Sequence, residues 1–225
     1  NAEDMTKSFA RMAAKIGQAF HSFEIKVTDG KAASQAFRDA GAKTASDYGF
    51  FFFVKAESTG GVLLEVCEVP MPNDPYDRKG WGAEVGQGHA SGVLRLDHIA
   101  CVTSDIAATI AFFTRLCDGE IVSDEQVSLP QPARRVAIRL GDTTIAFLQP
   151  DDRDMGPLGA FLGKVQNGIY ALVWQVEDGD RAQQHFTGKV ELRLTGEHCV
   201  SPGFAIEPED FFGARHEFVP VNSCR

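Results

Sequence analysis

The sequence predicts an α+β fold of tandem βαβββ modules, paired into curved mixed sheets around a cavity with helices outside. Three observations carry that prediction. The segment MTKSFARMAAKIGQAFHSFEIKVTDG (Met5 to Gly30) returns in outline as MGPLGAFLGKVQNGIYALVWQVEDG (Met155 to Gly179), each passing from a helix-like stretch into an alternating strand that closes on Val-x-Asp. A further copy of the strand and its Asp, LDHIACVTSD (Leu96 to Asp105), stands between them. Each copy later ends in a strong strand: GGVLLEVCEVP (Gly60 to Pro70), DTTIAFLQP (Asp142 to Pro150) and FFGARHEFVP (Phe211 to Pro220). A repeat of this kind sets the architecture before any single residue does.

Each element has a local reason. The opening strands alternate: Tyr170, Leu172, Trp174 and Val176 are predicted on one face, Ala171, Val173 and Gln175 on the other. Asp29, Asp105 and Asp178 follow these strands, where a carboxylate caps the unpaired N–H groups of a helix start. Apolar residues at helical spacing then follow, Ala33, Phe37 and Ala40 in the first copy and Ile106, Ile110 and Phe113 in the second. Phe50 to Phe53 read as a strand with core on both faces.

The chain has 225 residues, 44% of them hydrophobic, and a net charge of −9. That charge argues against a nucleic-acid or membrane partner, both of which call for basic patches. No apolar run approaches the roughly 18 residues of a membrane span. The five cysteines, Cys67, Cys101, Cys117, Cys199 and Cys224, include no CxxC pair, which fits a reducing, cytoplasmic setting. The chain opens on Asn1, so an upstream targeting segment stays open. Residues 71–92 are rich in Gly, Pro and charge and read as a linker. They divide residues 1–70, an incomplete paired-module domain holding one module, from 93–225, a complete one. The lone module's partner is expected either upstream or from another chain, which makes a homodimer possible.

This order of motifs resembles the vicinal oxygen chelate superfamily, which includes glyoxalase I, methylmalonyl-CoA epimerase, extradiol dioxygenases and fosfomycin or bleomycin resistance proteins. LDHIACVTSD is similar to its opening strand, NGIYALVWQVEDGD to its second-module strand, and GVLLEV and GARHEF to its closing strand with an inward Glu. The flavour is nearest the epimerase and glyoxalase-like branch. The resemblance implies a divalent metal held by residues of the opening and closing strands. Those positions fall on His98, Ala146, Ala171 and Glu217 in the second region, and on Ser22 and Glu65 in the first. The two alanines cannot ligate, so metal is expected to be absent or weak in the second domain. His98, Glu217 and Glu65 are the candidate metal ligands, and His98, Glu217 and Arg215 the candidate catalytic set. Thr144, Gln175, Ser22, Glu24 and Lys26 are candidate substrate-binding residues by strand parity.

Three functions stay open: a lyase or isomerase (epimerase)-like enzyme acting on a small oxygenated, anionic molecule; a metal-free, resistance-type binding protein; and a ring-cleaving dioxygenase-like enzyme. A scaffold of degenerate modules is a further reading. A pair that only satisfies buried charge, Glu217 with Arg215 or His98, is the bland alternative at the site itself.

Overall fold

The computed structural model describes residues 17, 19–70, 88–187 and 192–221. Most of the first helix-like stretch, residues 5–16, and linker residues 71–87 lie outside them. The described chain forms two mixed sheets. The first holds β1 (Phe23–Val27), β2 (Thr44–Ala45), β3 (Phe51–Val54) and β4 (Leu64–Glu68) in the order β1-β4-β3-β2, with helix α1 (Gly30–Asp39) after β1.

The second sheet has eight strands. Its first half is β5 (Val93–Val102), α2 (Ile106–Leu116), β6 (Glu120–Val127), β7 (Ala133–Leu140) and β8 (Thr143–Pro150). Helix α3 (Gly156–Val165) leads to the second half: β9 (Gly168–Val176), α4 (Gly179–Thr187), β10 (Leu194–Thr195), β11 (Phe204–Ile206) and β12 (His216–Pro220). The order is β10-β11-β12-β9-β5-β8-β7-β6. In all three modules the first strand runs parallel to the last, and β5 and β9 join the two halves antiparallel.

The three aspartates cap as their position requires. Asp29 Oδ1 accepts from Ala32 N at 2.9 Å, Asp105 Oδ1 from Ala108 N at 3.0 Å and Asp178 Oδ1 from Arg181 N at 3.1 Å. Asp105→Ala is expected to cost about 1 kcal/mol, read as a lower urea midpoint with an unchanged slope. Helix α3 has no side-chain cap of its own. Gln131 substitutes from the β6–β7 turn, its Oε1 accepting from Leu158 N at 2.9 Å.

The main core lies between the two sheets. Phe37 of α1 packs on Phe52 and on Phe112 of α2, both with ring centroids at 5.8 Å. Phe113 stacks between Phe23 at 6.1 Å and Phe147 at 5.0 Å. The helix stripes differ slightly from expectation. Ala40 is exposed at the end of α1, while Ser34 is buried and donates to Asp47 Oδ2 at 2.6 Å. Phe50 precedes β3 and is exposed, so only Phe52 of the four-Phe run is fully buried. Gly60 ties the sheets together. Its carbonyl accepts from Asn167 Nδ2 at 2.6 Å and Thr103 Oγ1 at 3.1 Å, and a Cβ there would meet Thr109 Oγ1 at 2.0 Å. Its φ of +78° is also in the left-handed region, so glycine is required twice over.

The opposite face of the eight-stranded sheet carries a second core of Ala100, Val102, Leu148, Ala171, Val173 and Val219, closed at one end by Leu158 of α3. At the outer edge, β6 is laced to β7 by Arg134–Asp124, Arg135–Glu125 and Arg139–Glu120 ion pairs.

Candidate functional site

The register of the eight-stranded sheet decides which side chains meet on this second face. His98 pairs with Val173, and Val173 pairs with Glu217. The three therefore form one row across β5, β9 and β12. Two strand spacings put His98 and Glu217 about 10 Å apart at Cα, with both side chains on the same face. The adjacent row is Ala146, Ala100 and Ala171. Thr144 shares the Ala146 face of β8 and is half-buried.

Two β-bulges shape the site. One falls in β5 between Leu96 and His98, so Asp97 is the extra residue there. Its carboxylate lies 2.8 Å from His98 Nδ1. That contact, ahead of the opposing cost of burial, holds the Asp97 carboxyl below the usual carboxylate range. His98 is 3% exposed, and its Nε2 is a buried polar atom with no hydrogen-bond partner among the described residues. Such atoms are rare and call for an explanation. The other bulge falls in β9 between Ala171 and Ile169 and turns Tyr170 onto the Ala171 face. Alternation alone predicts Tyr170 on the face of Leu172 and Trp174, opposite Ala171. Its hydroxyl donates to His198 O at 3.0 Å.

Glu217, 1% exposed, is held on both oxygens. Oε1 accepts from Arg215 Nε at 3.0 Å, and Oε2 from Val200 N at 2.9 Å. Burial pushes its carboxyl up to about 7, against the pull of Arg215 and the Val200 N–H. Arg215, also buried, donates further to Glu197 O at 2.6 Å and to Glu207 Oε2 at 3.4 Å, and stands 5.7 Å over the Tyr170 ring. Its donors thus fasten the 196–201 segment over Glu217. Gln175 is half-buried and accepts from Arg95 Nε at 3.0 Å.

The first-region candidates gather on the other sheet. Ser22 donates to Glu65 Oε1, and His21 Nδ1 lies 2.8 Å from Ser22 Oγ and 3.8 Å from Glu65. His21 also meets Phe53 edge-on at 6.3 Å. Glu24 and Lys26 are exposed on β1, and Glu24 lies opposite Glu65 in the register. His98 and Glu217 belong to one sheet and Glu65 to the other. Among the described residues no three His, Cys, Asp or Glu side chains converge as a metal site. A cleft of about 1000 Å³ lies elsewhere, between β1, α1 and the β7–β8 turn, with a mainly apolar lining that includes Phe23, Ile25, Leu96 and Leu140.

Comparison with known proteins bears on the fold. No family model matches the chain, and no curated protein matches it. Among solved structures, methylmalonyl-CoA epimerase from Mycobacterium tuberculosis is similar over 57% of this chain and 89% of its own, with TM-score 0.51 and 23% identity. The Streptomyces coelicolor epimerase in complex with 2-nitronate-propionyl-CoA matches over 58% of this chain and 99% of its own, with TM-score 0.51 and 22% identity. A substituted 4-hydroxymandelate synthase from Streptomyces coelicolor matches over 97% of this chain and 74% of its own, with TM-score 0.69 and 17% identity. The chain shares the fold of these epimerases and of the synthase.

The resemblance read from the sequence implies a divalent metal, and the donor set tests whether this chain fits one. It does not fit at the second sheet. His98 Nε2 offers one donor, Ala146 and Ala171 offer none, and both Glu217 oxygens are engaged by internal N–H groups. A guanidinium stands where a cation would have to approach the carboxylate. Sequence reading named His98, Glu217 and Arg215 and did not single out Asp97. The Asp-His dipeptide was its only signal, and alternation would send consecutive residues to opposite faces unless a bulge intervenes.

Proposed function

We propose that this chain binds a small oxygenated molecule on the second face of the eight-stranded sheet and acts on it by proton transfer, as an epimerase-like enzyme without a metal at that site. The observation that carries this reading is the buried Nε2 of His98, without a partner among the described residues and in the same row as Glu217 two strands away. A buried nitrogen lone pair and a carboxyl pushed up to about 7 are the two groups an acid–base pair needs near neutral pH. Tyr170, turned inward by its bulge, adds an aromatic wall. Arg215 supports the pair by holding Glu217, and its committed donors leave the ligand's charge unassigned. The paired-module reading of residues 93–225 as one domain and of residues 1–70 as part of another belongs to the same proposal.

Methylmalonyl-CoA in deuterated water tests the reading, since the two epimerases share the fold of this sheet. The expected result is deuterium entering at the acidic carbon, with ligand affinity falling about tenfold in His98→Gln as one buried hydrogen bond is lost. Binding without deuterium entry would favour the metal-free, resistance-type binding protein, a reading supported by the same donor set. Neither binding nor exchange with this compound or other 2-substituted thioesters would overturn the epimerase-like reading. Ring-cleaving chemistry has less support, because it requires open metal positions that His98 and Glu217 alone do not hold in place.

A further inference from the structure

Resting on the reading that His98 is the working group, we infer that Asp97 is a positioning residue that fixes the His98 tautomer and thereby selects what the ligand must offer. A carboxylate has no proton to donate, so the 2.8 Å contact between Asp97 Oδ2 and His98 Nδ1 requires the proton on Nδ1. In its neutral form the ring then keeps only a lone pair at Nε2, the atom that is buried and unpartnered among the described residues. An acceptor in that state is satisfied by a hydrogen-bond donor. The ligand therefore brings an O–H, an N–H or an acidic C–H to this point, and a bare carboxylate oxygen or ketone oxygen there would meet a lone pair.

The bulge makes the arrangement possible. In a regular strand Asp97 and His98 would face opposite sides of the sheet. The irregularity between Leu96 and His98 lets neighbouring side chains touch on one side. His98 is 4% exposed at its side chain and Asp97 19%, so the carboxylate stands toward the rim with the ring behind it. This order, carboxylate then imidazole then reactant, is the one that orients a base through its second nitrogen. Its effect here is positional, exerted through the contact with His98 Nδ1.

The experiment is a long-range proton–nitrogen correlation spectrum of the full chain labelled with ¹⁵N-histidine. It needs no ligand. The chain has six histidines, and the His98 signals are those missing from His98→Gln. The expected result is a protonated Nδ1 and an unprotonated Nε2 in the wild type, loss of that pattern in Asp97→Asn, and its return in Asp97→Glu. A wild-type Nε2–H tautomer, or an Asp97→Asn spectrum identical to wild type, would overturn the inference. Should Asp97→Asn fail to fold, the wild-type tautomer and the Asp97→Glu spectrum still decide. The result is separable from the proposed function. A confirmed tautomer together with unchanged binding in His98→Gln would remove the function and leave Asp97's hold on the ring intact, whereas the wrong tautomer with deuterium exchange still observed would remove the role of Asp97 alone.

Discussion

Arg215→Met is expected to destabilise the protein by about 3–5 kcal/mol at pH 8, the cost of stranding one member of a buried ion pair. Glu217 would keep the Val200 N–H but lose Arg215 Nε. The 196–201 segment would lose its tie through Glu197 O, and Tyr170 the cation over its ring. The effect is expected to shrink toward pH 5, where the carboxyl carries a proton. The double variant Arg215→Met with Glu217→Leu is expected to recover most of the loss, since removing both charges also removes their desolvation penalty. Urea midpoints of the three proteins at pH 5 and pH 8 measure this. A loss below about 1 kcal/mol in the single variant would place the pair among surface-like contacts, against its burial.

The second large effect is a dependence of stability on pH that belongs to Glu217. Its carboxyl stands at 4.5 when unfolded and at about 7 when folded, chiefly through burial. Between those values the folded chain holds a proton that the unfolded chain has released. The stabilisation is therefore complete below pH 4.5 and is lost as pH climbs through 7, a change of about 3 kcal/mol. His216 works in the other direction. Burial holds its imidazole below 6.5, so its contribution is lost as pH falls. Asp47, held at about 2 mainly by Ser34 and Arg38, matters only in acid. The signature is thus the difference between wild type and Glu217→Gln from pH 5 to pH 8. Parallel curves would mean that Glu217 does not titrate in this range.

What the sequence disclosed and what it withheld follow from range. The helix caps at Asp29, Asp105 and Asp178 were legible because a cap reaches only three residues along the chain. The threefold repeat was legible because each module repeats a period, whereas the parallel pairing of first and last strands appears only in the sheet register. His98 and Glu217 were legible as residues of one face once the strands were placed. The bulges at Asp97 and Tyr170 were not, since a bulge is a property of two strands and a single strand shows only alternation. Nor was the commitment of Arg215 to Glu197 and Glu207, which lie in a stretch with little regular structure and no period to extrapolate. Phe50 shows the same limit at a strand end, where one residue separates core from solvent.

The charged lacing of β6 has a consequence for the molecule among its own kind. An edge strand offers a row of unpaired amides to any other chain in extended conformation, and that is how sheets grow into fibrils. Ile121 and Val122 lie exposed on this edge, and alone they would invite such growth. Glu120, Asp124 and Glu125 flank them, each fastened to an arginine of β7. An incoming strand would have to settle against this alternation of fixed charges, and a second copy of β6 would bring its own acids to face them. The opposite edge, β10, is two residues long and too short to template anything. At both described margins the eight-stranded sheet is finished against self-propagation: charge defends one and brevity the other.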